Sequence, residues 1–311
     1  MKRSRVISSL SALAVLAATP LRAQTKPKLR IAFPTLDLTA EVLYANDLGF
    51  FERAGLDIEM LPLANGAAIV AGVASGTIDI GCGNALTIET AYKKGVPLTV
   101  IAPAGANLNT ALSNLLLVAK NSPIRSAADL NGKTIGVTPL RGVGEIAASA
   151  WIDKNGGDSS TVHYIEVPFS QSAAMVNSGR IDAAFCSEPF TTPARATTRV
   201  LANPFSVFGE DALITAFFAL KPWAQAHPDL VARFAAVIHE TAEWANNRKN
   251  LDQSAEILAK YSKTDPAAVK GTVRSHFATT LTSAQFQTTI DFSARYKLFD
   301  APFPADELIF H

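Results

Sequence analysis

The chain predicts an α/β fold of two lobes, each an open and mostly parallel sheet flanked by helices, facing each other across a cleft. Three observations carry this reading. A short phrase occurs twice, as Ser75-Gly76-Thr77-Ile78-Asp79-Ile80-Gly81-Cys82-Gly83-Asn84 and as Ser178-Gly179-Arg180-Ile181-Asp182-Ala183-Ala184-Phe185-Cys186-Ser187-Glu188-Pro189. Each copy reads as a helix closed by Gly, an Ile-Asp pair, a strand of small residues, and polar residues at the strand end; Gly suits the left-handed position just past a helix. Strand-like and helix-like runs alternate through the first two thirds of the sequence, which implies βαβ units. Finally, 311 residues exceed the usual size of one core.

In chain order, Lys28 to Phe33 alternates polar and apolar residues as a first strand should. Ala40 to Phe51 reads as a helix closed near Gly49, Leu56 to Met60 as a strand, and Asn65 to Ser75 as a helix leading into the first copy of the phrase. Ala85 to Lys94 is helical, and Val96 to Pro103 and Asn114 to Ala119 are strands. The pattern then restarts with a strand at Thr134 to Val137, a loop from Thr138 to Gly144, and a helix from Glu145 to Lys154. Val162 to Val167 (strand) and Gln171 to Ser178 (helix) lead to the second copy. Ala212 to Leu220 is apolar and extended enough to return the chain to the first lobe. Helical runs at Leu230–Arg248, Asp252–Tyr261 and Ser283–Tyr296 are expected to pack outside that lobe. The expected division is residues 28–115 with 208–311 for lobe one and 116–207 for lobe two. The two crossings form a two-strand hinge, about which such proteins close on a ligand.

Composition narrows the function classes. A formal charge of +1 gives no reason to invoke nucleic acid or an anionic membrane surface as a partner, and an apolar content of 48% supplies substantial cores. Lys2, Arg3 and Arg5 precede an apolar run from Val6 to Ala18 and a small-residue segment ending at Ala23. That is the layout of a secretory signal peptide over residues 1–23, its apolar run too short to span a bilayer. The mature protein is therefore expected outside the cytoplasm, most simply in a periplasm, and as a monomer. Cys82 and Cys186 are the only cysteines, one in each copy of the phrase, and are expected to be free and buried. The five histidines are scattered and no Cys pair has metal-ligand spacing, so neither a metal nor a cofactor is expected.

Ligands of open α/β sheets bind just beyond the carboxyl ends of the strands, and the candidate site residues follow from that rule. Thr35 stands past the first strand, Asn84 at the end of the first repeated strand, and Ser170 past Val162–Val167. Asn84 can also cap the helix that begins at Ala85. Thr138, Arg141 and Gly142 belong to a loop whose N–H groups and following helix favour an anion, with Arg141 able to grip a carboxylate or sulfonate. Glu188 follows the second repeated strand and could accept bonds from an amine or ring N–H, or cap the next helix. Asn107, with Asn109, lies in the loop before the first crossing. Asp79 and Asp182 read as partners of turn backbone, and Trp151, Trp223 and Trp244 as packing residues.

The phrases Leu48-Gly49-Phe50-Phe51-Glu52-Arg53-Ala54-Gly55-Leu56, Ser75-Gly76-Thr77-Ile78-Asp79-Ile80-Gly81, Asp129-Leu130-Asn131-Gly132-Lys133-Thr134-Ile135-Gly136-Val137 and Gly179-Arg180-Ile181-Asp182-Ala183-Ala184, with Glu188-Pro189, extend over nearly the whole mature chain. In these it resembles the nitrate, sulfonate and taurine group of ABC-transporter substrate-binding proteins, which includes binders of thiamine-pyrimidine precursors. The resemblance implies a type II periplasmic binding protein fold that captures a small-molecule ligand, an organic anion or a nitrogen heterocycle, and delivers it to the transmembrane permease subunits. Desulfinases and thiamine-pyrimidine synthases of similar architecture make a periplasmic enzyme the alternative. This chain departs from both, with Pro34 and Thr35 where the desulfinase has its Cys and no Cys-rich segment. A ligand sensor remains a third reading.

Overall fold

Two glycines at matching points set the frame. Gly76 (φ 70s) and Gly179 take left-handed φ values of 73° and 70°, a conformation that costs Gly little and other residues more. Each closes a helix and turns the chain into a strand, as the repeated phrase predicts. The computed structural model describes residues 28–110 and 112–311; the expected leader at 1–23 lies outside them.

The first run of elements is β1 (Lys28–Phe33), α1 (Glu41–Asp47), α2 (Phe50–Arg53), β2 (Asp57–Pro62), α3 (Gly66–Ala74), β3 (Ile80–Asn84), α4 (Ala85–Lys93) and β4 (Leu98–Pro103). A short β5 (Gly105–Ala106) leads to β6 (Asn114–Ala119), β7 (Thr134–Val137), α5 (Val143–Lys154), β8 (His163–Glu166) and α6 (Phe169–Asn177). Next come β9 (Ala183–Ser187), α7 (Thr191–Ala194), β10 (Thr198–Ala202), β11 (Thr215–Leu220) and α8 (Lys221–Ala226). The last are α9 (Pro228–Asn246), α10 (Leu251–Ser262), α11 (Pro266–Lys270), β12 (His276–Phe277) and α12 (Ser283–Arg295). The helix expected over Ala40–Phe51 is broken into α1 and α2 by Gly49 at φ 70°.

The strands form two five-stranded sheets of one topology, β2-β1-β3-β11-β4 and β8-β7-β9-β6-β10. In each, the first three strands are parallel neighbours. The strand arriving from the other half, β11 or β6, is antiparallel to both of its neighbours. Four of five strands in each sheet therefore run one way, which makes the sheets mostly parallel. Strand β6 pairs in the second sheet along its whole length from Asn114, so the crossing is complete two residues before residue 116.

Three apolar clusters hold the layers. Helices α1, α9 and α10 cover one face of the first sheet around Tyr44, Phe217 and Phe234, while α3, α4 and α12 cover the other around Ile69, Phe218 and Phe286. In the second half, α5 packs on Ile135, Phe185 and Phe205. Burial of each such ring contributes roughly 1.5–3 kcal/mol. Where the sequence leads one to expect all the C-terminal helices outside the first lobe, α12 differs. It packs on α4 but also reaches the second half: Phe292 meets Phe208 edge-on at 5.2 Å, and Tyr296 Oη donates to Asp153 Oδ2 of α5 at 2.8 Å. Its 3.6-residue pattern reveals an apolar face, not the two neighbours that share it.

The crossings run side by side. Asn107 N donates to Ala212 O at 2.8 Å, Asp211 N to Asn107 O at 2.8 Å, and Ile214 N to Gly105 O at 2.9 Å. This antiparallel pair is the two-strand connection between the sheets, and it leaves their carboxyl edges facing one another.

Candidate functional site

A cleft of about 450 Å³ lies between those edges. The first half contributes Pro34, Thr35, Leu36, Leu38 and Thr39 after β1, Leu63 and Ala64 after β2, and Gly83 and Asn84 at the end of β3. From the second half come Thr138, Pro139 and Val143 after β7, Pro168, Phe169 and Ser170 after β8, and Phe185, Ser187 and Phe190 around the end of β9. Matching strand ends of the two sheets thus supply the two walls, which is where a ligand of open α/β sheets belongs. Asn114, Phe205, Ile214 and Thr215, near the crossings, complete the lining.

Of the residues expected from the sequence, Thr35, Asn84, Thr138 and Ser170 come together on this lining, and Arg141, Gly142, Glu188 and Asn107 do not. Each of the four has a local reason. Glu188 is buried and turns toward α7, where it accepts from Thr192 N at 3.2 Å and Thr192 Oγ1 at 2.5 Å; it caps a helix. Burial raises its pKa to about 7, against the lowering effect of the Thr192 bonds. Arg141, at φ 57°, is exposed and donates from Nη2 to Lys297 O at 2.8 Å, tying the β7–α5 loop to the turn after α12. Gly142 is buried against Pro139, whose carbonyl lies 2.8 Å from where a Cβ would stand. Asn107 lies in the crossing, its Nδ2 bonded to Gly209 O at 2.6 Å and Asn109 Oδ1 at 2.9 Å.

The anion-favouring loop expected at Thr138–Gly144 carries its own carboxylate. Glu145, in the first turn of α5, accepts from Arg141 N at 2.6 Å, and burial raises its pKa despite that bond. The first residues of α3, α5 and α6, and Asn84 immediately before α4, all line the cleft. The positive ends of four helices therefore converge on it.

Its side-chain electrostatics are otherwise plain: no charged residue is among the lining residues. Asp37, beside Leu36 and Leu38, points away and is fully buried, receiving Arg274 Nε at 2.9 Å together with Arg274 Nη2 and the Ser275 N–H. Arg274 lies between α11 and β12, in a stretch with no pattern that would have singled it out. Cys82 and Cys186 are free, buried and absent from the lining. Burial raises both thiol pKa values, that of Cys186 to about 12, so they stay protonated. Among the described residues there is no cluster of metal-ligating side chains, and no helix is long and apolar enough to cross a membrane.

The lining residues that sequence reasoning passed over are mainly Leu38, Phe169, Phe185, Phe190 and Phe205. An apolar residue in a cleft wall has the same pattern as one in a core. Only its place one or two residues past a strand end, as for Phe169 and Phe190, could have marked it.

The periplasmic aliphatic sulphonate binding protein of Escherichia coli superposes with a TM-score of 0.75 at 18% identity, covering 91% of this chain and 92% of that one. The periplasmic nitrate-binding protein of Synechocystis PCC 6803 does so at 0.76 and 16%, covering 90% and 84%. These likenesses show the periplasmic binding protein fold. By sequence, the taurine-binding periplasmic protein of Escherichia coli is 25% identical over 269 residues, 83% of this chain and 81% of that protein. A formylaminopyrimidine-binding protein of Halalkalibacterium halodurans is 29% identical over 135 residues, 43% of this chain and 39% of that protein. The NMT1/THI5-like family profile matches residues 39–250, more than half of the sequence, and the chain belongs to that family.

Proposed function

We propose that this chain is the periplasmic solute-binding component of an ABC importer, capturing a small organic solute between two lobes and presenting it to a membrane permease. The observation that carries the reading is the cleft itself, built from matching strand ends of two sheets that share a topology and are joined by paired crossings. Lobe one then comprises 28–115 with 208–311, lobe two 116–207, and residues 1–23 direct export. Relatives named for binding taurine and formylaminopyrimidine support a binding role over catalysis. So does the cleft chemistry: it offers hydroxyl and amide groups, and its two neighbouring thiols are buried and protonated.

The test is retention without turnover. Mature protein from a native periplasmic extract, denatured and analysed by mass spectrometry, should release one solute per chain, and the same solute added back should raise the melting temperature with concentration. The variant Ser170→Trp, which fills the cleft from an exposed position, should fold and lose that solute. Conversion of the solute to a product on incubation would replace this reading with an enzymatic one.

A further inference from the structure

We infer that the cleft selects an organic monoanion, a carboxylate or sulfonate carried on an apolar and preferably aromatic body, and discriminates against zwitterions and cations. The inference rests on the solute-binding reading and names the ligand class for the same cleft.

The argument starts from which hydrogen-bonding groups are already used. Asn84 Oδ1 accepts from Thr87 N at 2.9 Å and Thr87 Oγ1 at 3.0 Å. A backbone N–H only donates, so this bond fixes the orientation of the amide. Asn84 Nδ2 is then left without an acceptor among the described residues. Asn114 Oδ1 is taken by Ser187 Oγ at 2.7 Å, and Thr215 Oγ1 gives its proton to Leu38 O at 2.8 Å. What remains for a ligand is the Asn84 N–H₂ and the hydroxyls of Thr35, Thr138 and Ser170, which turn to donate or accept. The fixed free group is a donor, and the fixed acceptors are spent.

An ammonium entering this cleft would exchange its hydration for no charged partner, since the nearest acids, Asp37 and Glu188, are bound to Arg274 and Thr192. Burying an unpaired cation is costly. An oxyanion meets the reverse situation, with donors converging on it. The remaining wall suits its body: Phe185 and Phe205 stack at 5.4 Å between centroids, Phe169 lies 6.1 Å from Phe185, and Phe190 lies 6.3 Å from Phe169. Rings at such spacings offer faces and edges to a further aromatic group. A two-carbon zwitterion would leave most of the roughly 450 Å³ unfilled and its ammonium unmatched.

Calorimetric titration of ligand-stripped mature protein decides the matter with four probes: 3-phenylpropionate, phenylalanine, phenethylamine and taurine. The expected result is that 3-phenylpropionate binds at least about tenfold tighter than the other three, the scale of one hydrogen bond to a charged group. Asn84→Asp keeps an acceptor for the Thr87 N–H, so α4 stays capped, but replaces the free donor with a carboxylate. It should weaken 3-phenylpropionate by at least about tenfold. Equal or tighter binding of an amine-bearing probe, binding of none of the four, or unchanged affinity in Asn84→Asp overturns the ligand class. Solute released from the native protein reports separately on the binding reading, which stands if an unmodified solute is recovered and falls if none is.

Discussion

The carboxylate of Asp79 accepts the backbone N–H of Arg30 at 2.8 Å, and the Arg30 carbonyl accepts the Asp79 N–H at 3.0 Å. The second half repeats the bond, with Asp182 Oδ2 receiving Thr134 N at 2.9 Å and Thr134 O receiving Asp182 N at 2.9 Å. The Ile-Asp pair of the repeated phrase is thus a joint between the first and third strands of each sheet. Asp79 also pairs with the Arg30 guanidinium at 2.7 Å.

Removing this joint should cost stability and leave ligand affinity intact. Asp79→Ala strands a strand-end N–H and should lower unfolding free energy by about 1–3 kcal/mol. Asp182→Ala should cost less, because its side chain is 38% exposed against 13% for Asp79. Urea denaturation of the two variants checks both the size and the order.

The buried Asp37–Arg274 pair predicts a larger loss. Arg274→Ala leaves the fully buried Asp37 with only Tyr44 and the Ser275 N–H as partners. Breaking a buried pair from one side costs about 3–5 kcal/mol. Asp37 sits between cleft residues Leu36 and Leu38, so thermal unfolding of Arg274→Ala should be accompanied by weaker solute binding.

Stability should fall as pH rises from about 4.5 to about 7. Glu89 is fully buried between α4 and α12, accepting from Thr289 Oγ1 at 2.7 Å and Ser293 Oγ at 2.6 Å. Burial outweighs those bonds and raises its pKa from 4.5 to about 7. In that window the unfolded chain has released the proton and the folded chain still holds it, so raising the pH favours unfolding. Glu188, also at about 7, adds to the slope, and Glu41, buried without a partner, acts in the same direction. Glu89→Gln should flatten the melting-temperature profile between pH 4.5 and 7; an unchanged profile would contradict the assignment.

Arg141 gives a prediction opposite to what its position in the sequence suggests. Since it binds Lys297 O and not the cleft, Arg141→Ala should leave solute affinity within about threefold and cost no more than about 1 kcal/mol. Calorimetry with the recovered solute distinguishes this from the large loss that a ligand-gripping arginine would show.

The residues that could be read from the sequence are those whose position alone decides their surroundings. Asn84 and Thr138 stand at or next to strand ends, and the sheet topology delivers them to the cleft whatever their side chains do. Asp79 and Asp182 were legible because the phrase around them repeats. Glu188 and Arg141 were not, because one more turn of backbone decides which way a long side chain points: a new helix at Thr191 claimed the first, and the turn after α12 the second. The phenylalanine wall was hidden because hydrophobicity does not distinguish a cleft from a core, and Arg274 because its partner lies 237 residues away in sequence.

The most direct test of two lobes enclosing a solute is a crystal structure of the protein loaded with the solute recovered from it. The account predicts the solute between the β3 and β9 strand ends, its oxyanion within hydrogen-bonding distance of Asn84 Nδ2 and its body against Phe169 and Phe190. A solute bound outside the space between the two sheets, or one whose charged group turns away from Asn84 toward a carboxylate, would contradict it.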